Sequence, residues 1–194
     1  EYCRATQGAS PAHVLALRVE DDSEYLRIDA ATRRNLEITE TLRGEISPTL
    51  LSLLDTCRTG MGSRRLRHTL QNPVRDTRIA AQRFDAVEAL GEADPTPAYE
   101  GVRELLGQCA DAERITARIA LRSARPRDLA GLRDSLALLP ALRERLAGLP
   151  GERLRALAQD LAPRDALQDL LARAIRPEPS AAIRYGHLIA DRYD

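Results

Sequence analysis

Cysteine and histidine are the residues of this sequence best suited to nucleophilic chemistry. The 194-residue chain contains three cysteines, and a cysteine acts as a nucleophile when a histidine lies within hydrogen-bond reach. His68 is the histidine that follows Cys57 in the sequence, but their spacing matches no catalytic motif. His13 and His187 lie in other parts of the chain. We therefore expect Cys57 to be a small buried residue at a helix end.

The cysteines and histidines also lack the spacing of metal ligands. Zinc sites use closely spaced ligands, such as a C-x-x-C pair or two histidines one helical turn apart. Cys3, Cys57 and Cys109 stand far apart and are odd in number, which indicates neither a disulfide framework nor a zinc site. We expect no metal site in the chain and a reducing, cytoplasmic location.

Paired carboxylates, which general acid–base catalysis uses, include Asp21 with Asp22, Glu37 with Glu40, and Asp111 with Glu113. Each pair stands among arginines in a predicted helix or turn, so solvated charge or ion pairs at helix ends explain them. Asp111 also has the position of a helix-start residue. A nucleotide-binding P-loop requires a lysine, and the sequence contains none. We assign no catalytic and no cofactor-binding residue.

Arginine clusters are the remaining candidates for a functional site. Arg64, Arg65 and Arg67 lie close together, and further arginines flank Pro126. Arginine side chains bind phosphate groups of nucleic acids, so the first cluster predicts a phosphate contact. The alternative is a solvated or internally paired face, which the net charge of zero favours. No aromatic residue interleaves with these arginines, so stacking on single-stranded nucleic acid is not expected.

Composition limits the fold and the partners. Aromatic residues make up 3% of the chain and hydrophobic residues 43%, and leucine, alanine and arginine dominate, which favours helices over strands. No apolar run approaches the length of a membrane span, so we expect no membrane partner. The sequence begins at Glu1 and stops just after an Ile-Ala-Asp-Arg-Tyr stretch. Both ends suggest a piece of a larger protein.

The N-terminal part of the chain contains the single strand signal. Alternating apolar residues and a polar turn over residues 14–28 predict one short β-hairpin. Asp29 then has the position of an N-cap, and the helix that it begins is predicted to end near Gly44. Ser47 followed by Pro48 predicts the cap and first residue of the next helix.

Glycine, proline and aspartate mark the helices that follow. Residues 60–63 are predicted to open a helix that ends at Asn72 and Pro73. Asp76 is predicted to cap another helix, which stops at Gly91. Its expected apolar face contains residues at helical spacing: Ala80, Phe84, Val87 and Leu90. Residues 95–97 are predicted to be a loop.

A leucine stripe extends through the C-terminal half. The stripe begins on one helical face between residues 126 and 149, and Pro140 is predicted to kink the helix or to end a segment. The residues of the stripe are Leu129, Leu132, Leu136, Leu139, Leu142, Leu146, Leu149, Leu154, Leu157, Leu161, Leu167, Leu170, Leu171 and Ile175. Charged residues flank them, so a mainly α fold, a bundle of long helices, is predicted.

Several segments resemble motifs of the bacterial MutS family of DNA mismatch-repair ATPases. Residues 29–39, D-A-A-T-R-R-N-L-E-I-T, carry the most specific resemblance. Further similar segments follow in the same order: residues 49–55, 61–64, 72–76, 111–115, 117–121, 124–129 and 188–194. The sequence departs from the family pattern at a few positions: Arg65, Thr69, Tyr185, His187 and Arg192.

The resemblance implies a domain organisation and a mechanical role. Residues 1–28 would link a connector region to the core, residues 29–176 would form the helical core and lever domain, and residues 177–194 would lead into a clamp. The lever would couple mismatched-DNA binding and the clamp to a distant ATPase domain, without catalysis of its own. The parent would be a homodimer that uses ATP and Mg²⁺ and recruits MutL. The chain itself is expected to be a monomer or a weak dimer.

Within the segment of closest resemblance, Arg33, Arg34, Asn35 and Glu37 are candidates for a cluster of hydrogen bonds between elements. Ordinary surface charge is the alternative for these four residues. For the whole chain, the alternative function is a helical protein-interaction or adaptor domain unrelated to DNA, since leucine-striped helices suit both roles. A thiol or metal enzyme ranks third.

Overall fold

The computed structural model describes residues 24–92, 96–180, 189–190 and 193, and its fold is mainly α, as predicted. The helices are α1 (Ala30–Asn35), α2 (Leu50–Leu54), α3 (Gly60–Gln71), α4 (Thr77–Gly91), α5 (Ala98–Gln108), α6 (Ala112–Ala120), α7 (Pro126–Ala137), α8 (Leu139–Ala147), α9 (Glu152–Asp160) and α10 (Asp165–Ala174). These helices are shorter than the long helices that the leucine stripe predicted, because turns and caps interrupt the stripe.

Helix α1 begins where the sequence predicted and ends earlier. Asp29 caps it by accepting a hydrogen bond from the Thr32 amide at 2.9 Å, which confirms the predicted N-cap. The helix ends at Asn35, so the predicted end near Gly44 is wrong. Glu37 has a φ of 45°, in the left-handed region. Its carbonyl accepts from the Leu50 amide at 3.2 Å, so the chain folds back onto α2.

The turn between α1 and α2 also differs from the prediction. Gly44 has a φ of 80°, and its amide donates to the Thr41 carbonyl at 2.9 Å, so it closes a turn and caps no helix. Thr49, and not Ser47, is the N-cap of α2. Thr49 and Ser52 exchange side-chain to main-chain hydrogen bonds of 3.1 and 2.8 Å. This capping box fixes the helix start two residues later than Ser47 indicated.

Other predicted boundaries agree with the structure. Helix α3 opens at Gly60 and ends with Asn72 as its C-cap. Asp76 caps α4, which ends at Gly91. The predicted β-hairpin is not confirmed: its first arm lies outside the described residues, and Tyr25 forms an isolated antiparallel bridge with Val74. Pro140 stands at the start of α8, so it ends one segment of the leucine stripe, as predicted.

Two hydrophobic clusters hold the helices together. One joins α6, α7 and α10 through six buried residues: Ile115, Ala130, Leu132, Leu171, Ala174 and Ile175. The other joins α4, α8 and α9 through five: Ala86, Ala89, Leu146, Leu154 and Ala158. Helix α5 packs against α4 and α8, while α7 packs against α6 and α10. Because α8 follows α7 directly in the chain, the two clusters are connected by main chain.

The buried face of α4 is not the one expected from helical spacing. Phe84 and Val87 are 72% and 68% exposed, whereas Ala86 and Ala89 are buried. Alanine side chains let α9 approach closely, and Leu154 of α9 fills the space that they leave. Part of the leucine stripe is exposed too, since Leu167 and Leu170 are each 42% exposed. Apolar spacing alone therefore misassigned the face of α4.

Truncation of Leu154 tests the second cluster. Leu154 is 1% exposed and Leu53 is 77% exposed. We expect Leu154→Ala to lower the free energy of unfolding by about 2–5 kcal/mol, because it opens a cavity among packed side chains. Leu53→Ala is the matched control and should change it by no more than about 0.5 kcal/mol. Urea unfolding followed by circular dichroism measures both, and equal losses would contradict this packing.

Candidate functional site

The best-defined polar site of the described residues lies where α3 meets α6. Arg64 of α3 donates from both terminal nitrogens to the carboxylate of Asp111, at 2.9 and 2.8 Å. Its Nε donates to Glu113 Oε2 at 3.0 Å. The guanidinium thus forms a bidentate pair with one carboxylate and contacts a second. This two-pronged geometry is stronger and more directional than a single ion pair.

Local sequence brings these groups together. Asp111 is the N-cap of α6 and accepts from the Arg114 amide at 3.2 Å. Gly60 opens α3 beside it, and a Cβ at Gly60 would lie 3.1 Å from Asp111 Oδ2. Glycine therefore leaves room for the carboxylate at this position. Two helix N-termini meet around one carboxylate, and their partial positive charges favour its ionised form.

The ion pair shifts the pKa values of both partners. Hydrogen bonds from Arg64 lower the pKa of Asp111 to about 2, although burial opposes the shift. Hydrogen bonds to Asp111 and Glu113 raise the pKa of Arg64. Both groups are therefore charged at neutral pH, and the donors of Arg64 are already used within the chain.

The three arginines predicted to contact phosphate have different surroundings. Arg64 pairs with Asp111 and Glu113, so a phosphate would compete with two carboxylates. Arg65 and Arg67 are exposed, and the charge of Arg67 contributes to lowering the pKa of Asp55, after a larger effect of the Ser63 hydroxyl. Phosphate contact by this cluster stays a prediction.

The predicted coupling cluster lies on α1 and the turn after it. Arg33, Arg34 and Asn35 are exposed, and Arg33 and Arg34 line an open cleft of about 420 Å³. Glu37 accepts a hydrogen bond from the Leu42 amide at 2.7 Å, which closes the local turn. These four side chains are near one another in sequence. That they form a cluster of hydrogen bonds between elements stays a prediction.

A hydrogen bond that sequence reasoning missed links this region to α3. Gln71 Nε2 donates to Thr39 Oγ1 at 3.3 Å. Both residues also line the cleft beside Arg33 and Arg34. The two residues lie in different predicted elements, so no spacing rule would have paired them.

A second ion pair joins α6 to α7. Arg118 Nη1 donates to Asp128 Oδ1, and the Arg125 amide donates to the other carboxylate oxygen at 2.9 Å. Burial raises the pKa of Asp128, but these hydrogen bonds and charges outweigh it and hold the pKa below its usual range. The α3–α6 and α6–α7 contacts therefore form a chain of charge-assisted bonds.

The structure gives no support for thiol chemistry in the described part of the chain. Cys57 lies between α2 and α3 and is exposed, so the prediction that it is buried is wrong. Partial desolvation of the thiol is the largest cause that raises the pKa of Cys57, followed by a hydrogen bond with Asp55. The reactive species of a cysteine is the thiolate, so Cys57 is poorly placed to act as a nucleophile at neutral pH. The His68 ring contacts Tyr25 edge to face, with centroids 6.1 Å apart.

Within the described ranges, no group of His, Cys, Asp and Glu side chains is arranged to hold a metal ion. No helix in those ranges has both the length and the apolar character that a bilayer span requires.

Acid titration tests the Arg64–Asp111 pair. The pKa of Asp111 is about 2 in the folded chain against 3.8 for an unperturbed aspartate. The pair therefore stabilises the fold above pH 4, and this stabilisation is lost as pH falls through 2. Asp111→Asn keeps a capping side chain and should lower stability above pH 4 by about 1 kcal/mol. Thermal melts should show that the difference in stability between Asp111→Asn and the wild type becomes smaller as the pH falls from 4 to 2.

The control for this titration is the same substitution in an Arg64→Met background. Without the guanidinium, Asp111→Asn should show much less dependence on pH, because hydrogen bonds from Arg64 are the main cause of the lowered pKa. A pH-independent effect of Asp111→Asn in the presence of Arg64 would contradict the assignment.

In the described residues, arginine–carboxylate pairs join α3 to α6 and α6 to α7. These residues do not form a catalytic arrangement. A family model for MutS domain III matches residues 31–194. Domain III is a non-catalytic domain of that family. The match includes the segments with α1, the turn before α2, and the α3–α6 site, and it covers more than half of the chain. The chain therefore belongs to the MutS family of DNA mismatch-repair proteins and carries its domain III.

Proposed function

We propose that this chain is the core and lever domain of a mismatch-repair ATPase, and that it couples DNA binding and the clamp to the ATPase domain. The observation that supports this role most directly is the bidentate Arg64–Asp111 pair, which fixes α3 against the start of α6. A domain that transmits a displacement needs elements that move together, and contacts of this kind provide that property.

The described helices form a continuous path of contacts. The Arg64 pair joins α3 to α6, and the Arg118–Asp128 pair joins α6 to α7. The first hydrophobic cluster then joins α7 to α10. Each step is either a charge-assisted bond or a buried contact, so a displacement at α3 would be passed to α10. Both ends of the path lie in segments that the family model matches.

The partners belong to the complete protein. Family membership supports mismatched double-stranded DNA as the ligand of the whole molecule. We further propose that the complete protein is a homodimer, binds ATP and Mg²⁺ outside this chain, and acts with MutL. The isolated chain is expected to be a monomer or a weak dimer. The adaptor alternative loses its basis, because the leucine stripe that suggested it falls within a recognised MutS domain.

Substitution of Arg64 in the complete protein tests the coupling role. Arg64→Met keeps an apolar stem and removes the donors to Asp111 and Glu113. We expect ATP turnover stimulated by mismatched DNA to fall by about 2- to 30-fold, the range of coupling energies that such networks carry. ATP turnover without DNA should be unchanged, since the substituted residue lies in a non-catalytic domain.

The matched control is Arg65→Met, which changes the exposed arginine next to Arg64. It should leave the stimulation by mismatched DNA at the wild-type level. Equal stimulation in Arg64→Met and wild type, with both proteins folded, would overturn the proposed path through α3 and α6.

The isolated chain should hydrolyse no ATP. Its described residues contain no arrangement for nucleotide chemistry, and the sequence has no lysine for a P-loop. Phosphate release at several protein concentrations measures this directly. Turnover that scales with concentration and disappears after substitution of a residue of this chain would show that domain III has an active site.

A further inference from the structure

Arg133 of α7 binds the main chain that leaves α10. Its Nη1 donates to the carbonyls of Ile175 and Arg176 at 3.2 and 2.8 Å, and its Nη2 donates to the carbonyl of Pro177 at 3.2 Å. Its Nε donates to Asp134 at 2.8 Å. The side chain is only 15% exposed. One guanidinium therefore donates hydrogen bonds to three consecutive carbonyls of a segment more than forty positions away in sequence.

Neighbouring contacts fix the same segment. Ile175 is 4% exposed and belongs to the first hydrophobic cluster. It also forms an antiparallel bridge with Ile189, and the Ala190 amide donates to the Ala174 carbonyl at 2.8 Å. The chain that leaves α10 thus returns to pair with the end of the same helix. Arg133 contacts the outgoing residues directly beside this pairing.

We propose that Arg133 is a positioning residue for the coupling function: it fixes the direction in which the chain leaves α10 and so ties the helical core to the segment beyond residue 176. This inference rests on the proposed function. Through Arg133, a displacement of α7 would be passed to the chain that leaves α10. The spacing of residues in the sequence gave no indication of this role.

Arginine suits this position for a physical reason. The carbonyl of Ile175, the C-cap of α10, lacks a partner within the helix. The carbonyls of Arg176 and Pro177 follow it in the outgoing chain, where no helix continues to supply donors. A guanidinium is planar, always charged and donates in several fixed directions, whereas a lysine ammonium is a compact point charge. Arg133 can therefore satisfy three carbonyls at once and hold their relative orientation. Its low exposure limits the competition from water.

Hydrogen exchange on the chain tests whether Arg133 fixes the segment that leaves α10. Arg133→Met removes the donors and keeps an apolar stem of similar length. We expect the amides of Ile175 and Ala190 to exchange at least about tenfold faster, because the outgoing segment opens locally. Arg133→Lys should give an intermediate increase. Amides around Leu154 in the second cluster should keep their wild-type rates, which separates local release from global destabilisation.

The effect of Arg133 on the coupling between DNA binding and ATP turnover is measured in the complete protein. Arg133→Met should reduce the stimulation of ATP turnover by mismatched DNA several-fold and leave turnover without DNA unchanged. Arg143→Met, an exposed arginine of α8, is the matched control. Unchanged hydrogen exchange in Arg133→Met would overturn the role of Arg133. Faster exchange together with wild-type stimulation of ATP turnover would overturn it as well.

The Arg64 and Arg133 experiments separate the two proposals. If Arg64→Met reduces stimulation and Arg133→Met does not, the coupling function stands and the role of Arg133 is wrong. If Arg64→Met leaves stimulation intact, the proposed path itself fails, whatever Arg133→Met does. Loss of stimulation in both variants, with accelerated exchange confined to the end of α10 in Arg133→Met, is the result that we expect.

Discussion

The contact between Arg64 and Asp111 holds the N-termini of α3 and α6 together, and the polar path through the described helices starts from it. Asp111 caps α6 while it accepts both terminal nitrogens of Arg64. A cap and an ion pair on one carboxylate fix the start of α6 and the position of α3 at the same time. Helix α6 then meets α7 through Arg118 and Asp128 and through the first hydrophobic cluster. The sequence uses glycine at position 60 to leave room for this contact.

Arginine side chains join helix ends to other helices at two places in the described chain. Arg64 binds the carboxylates at the start of α6, and Arg133 binds the carbonyls of the chain that leaves α10. In the first case the guanidinium binds the carboxylate that caps α6, and in the second it binds main-chain carbonyls at and just after the C-cap of α10. Short helices have many ends relative to their length, and such side chains turn those ends into connections. Hydrophobic contacts provide most of the stability, while these polar contacts set direction.

Much of the helix pattern could be predicted from local sequence, because caps act over a few residues. Asp29, Asp76 and Asp111 were all identified as helix starts, and each accepts a main-chain hydrogen bond there. The end of α1 could not be predicted, because it depends on the Glu37 carbonyl meeting the Leu50 amide. The exposure of Phe84 escaped prediction for a similar reason: spacing indicated the face of α4 with Phe84 and Val87, but the fit of Leu154 selected the face with Ala86 and Ala89. The partners of Arg64 and Arg133 depend on contacts between distant segments, which a single sequence does not specify.

A double-mutant cycle on Arg64 and Asp111 in the complete protein tests the central claim most directly. The quantity to measure is the stimulation of ATP turnover by mismatched DNA in the wild type, in Arg64→Met, in Asp111→Asn and in the double variant. If the pair transmits the effect of DNA, the two single changes are non-additive, with an interaction of about 0.5–3 kcal/mol, as for residues in one network. Strictly additive effects would contradict the account, since each residue would then act without the other.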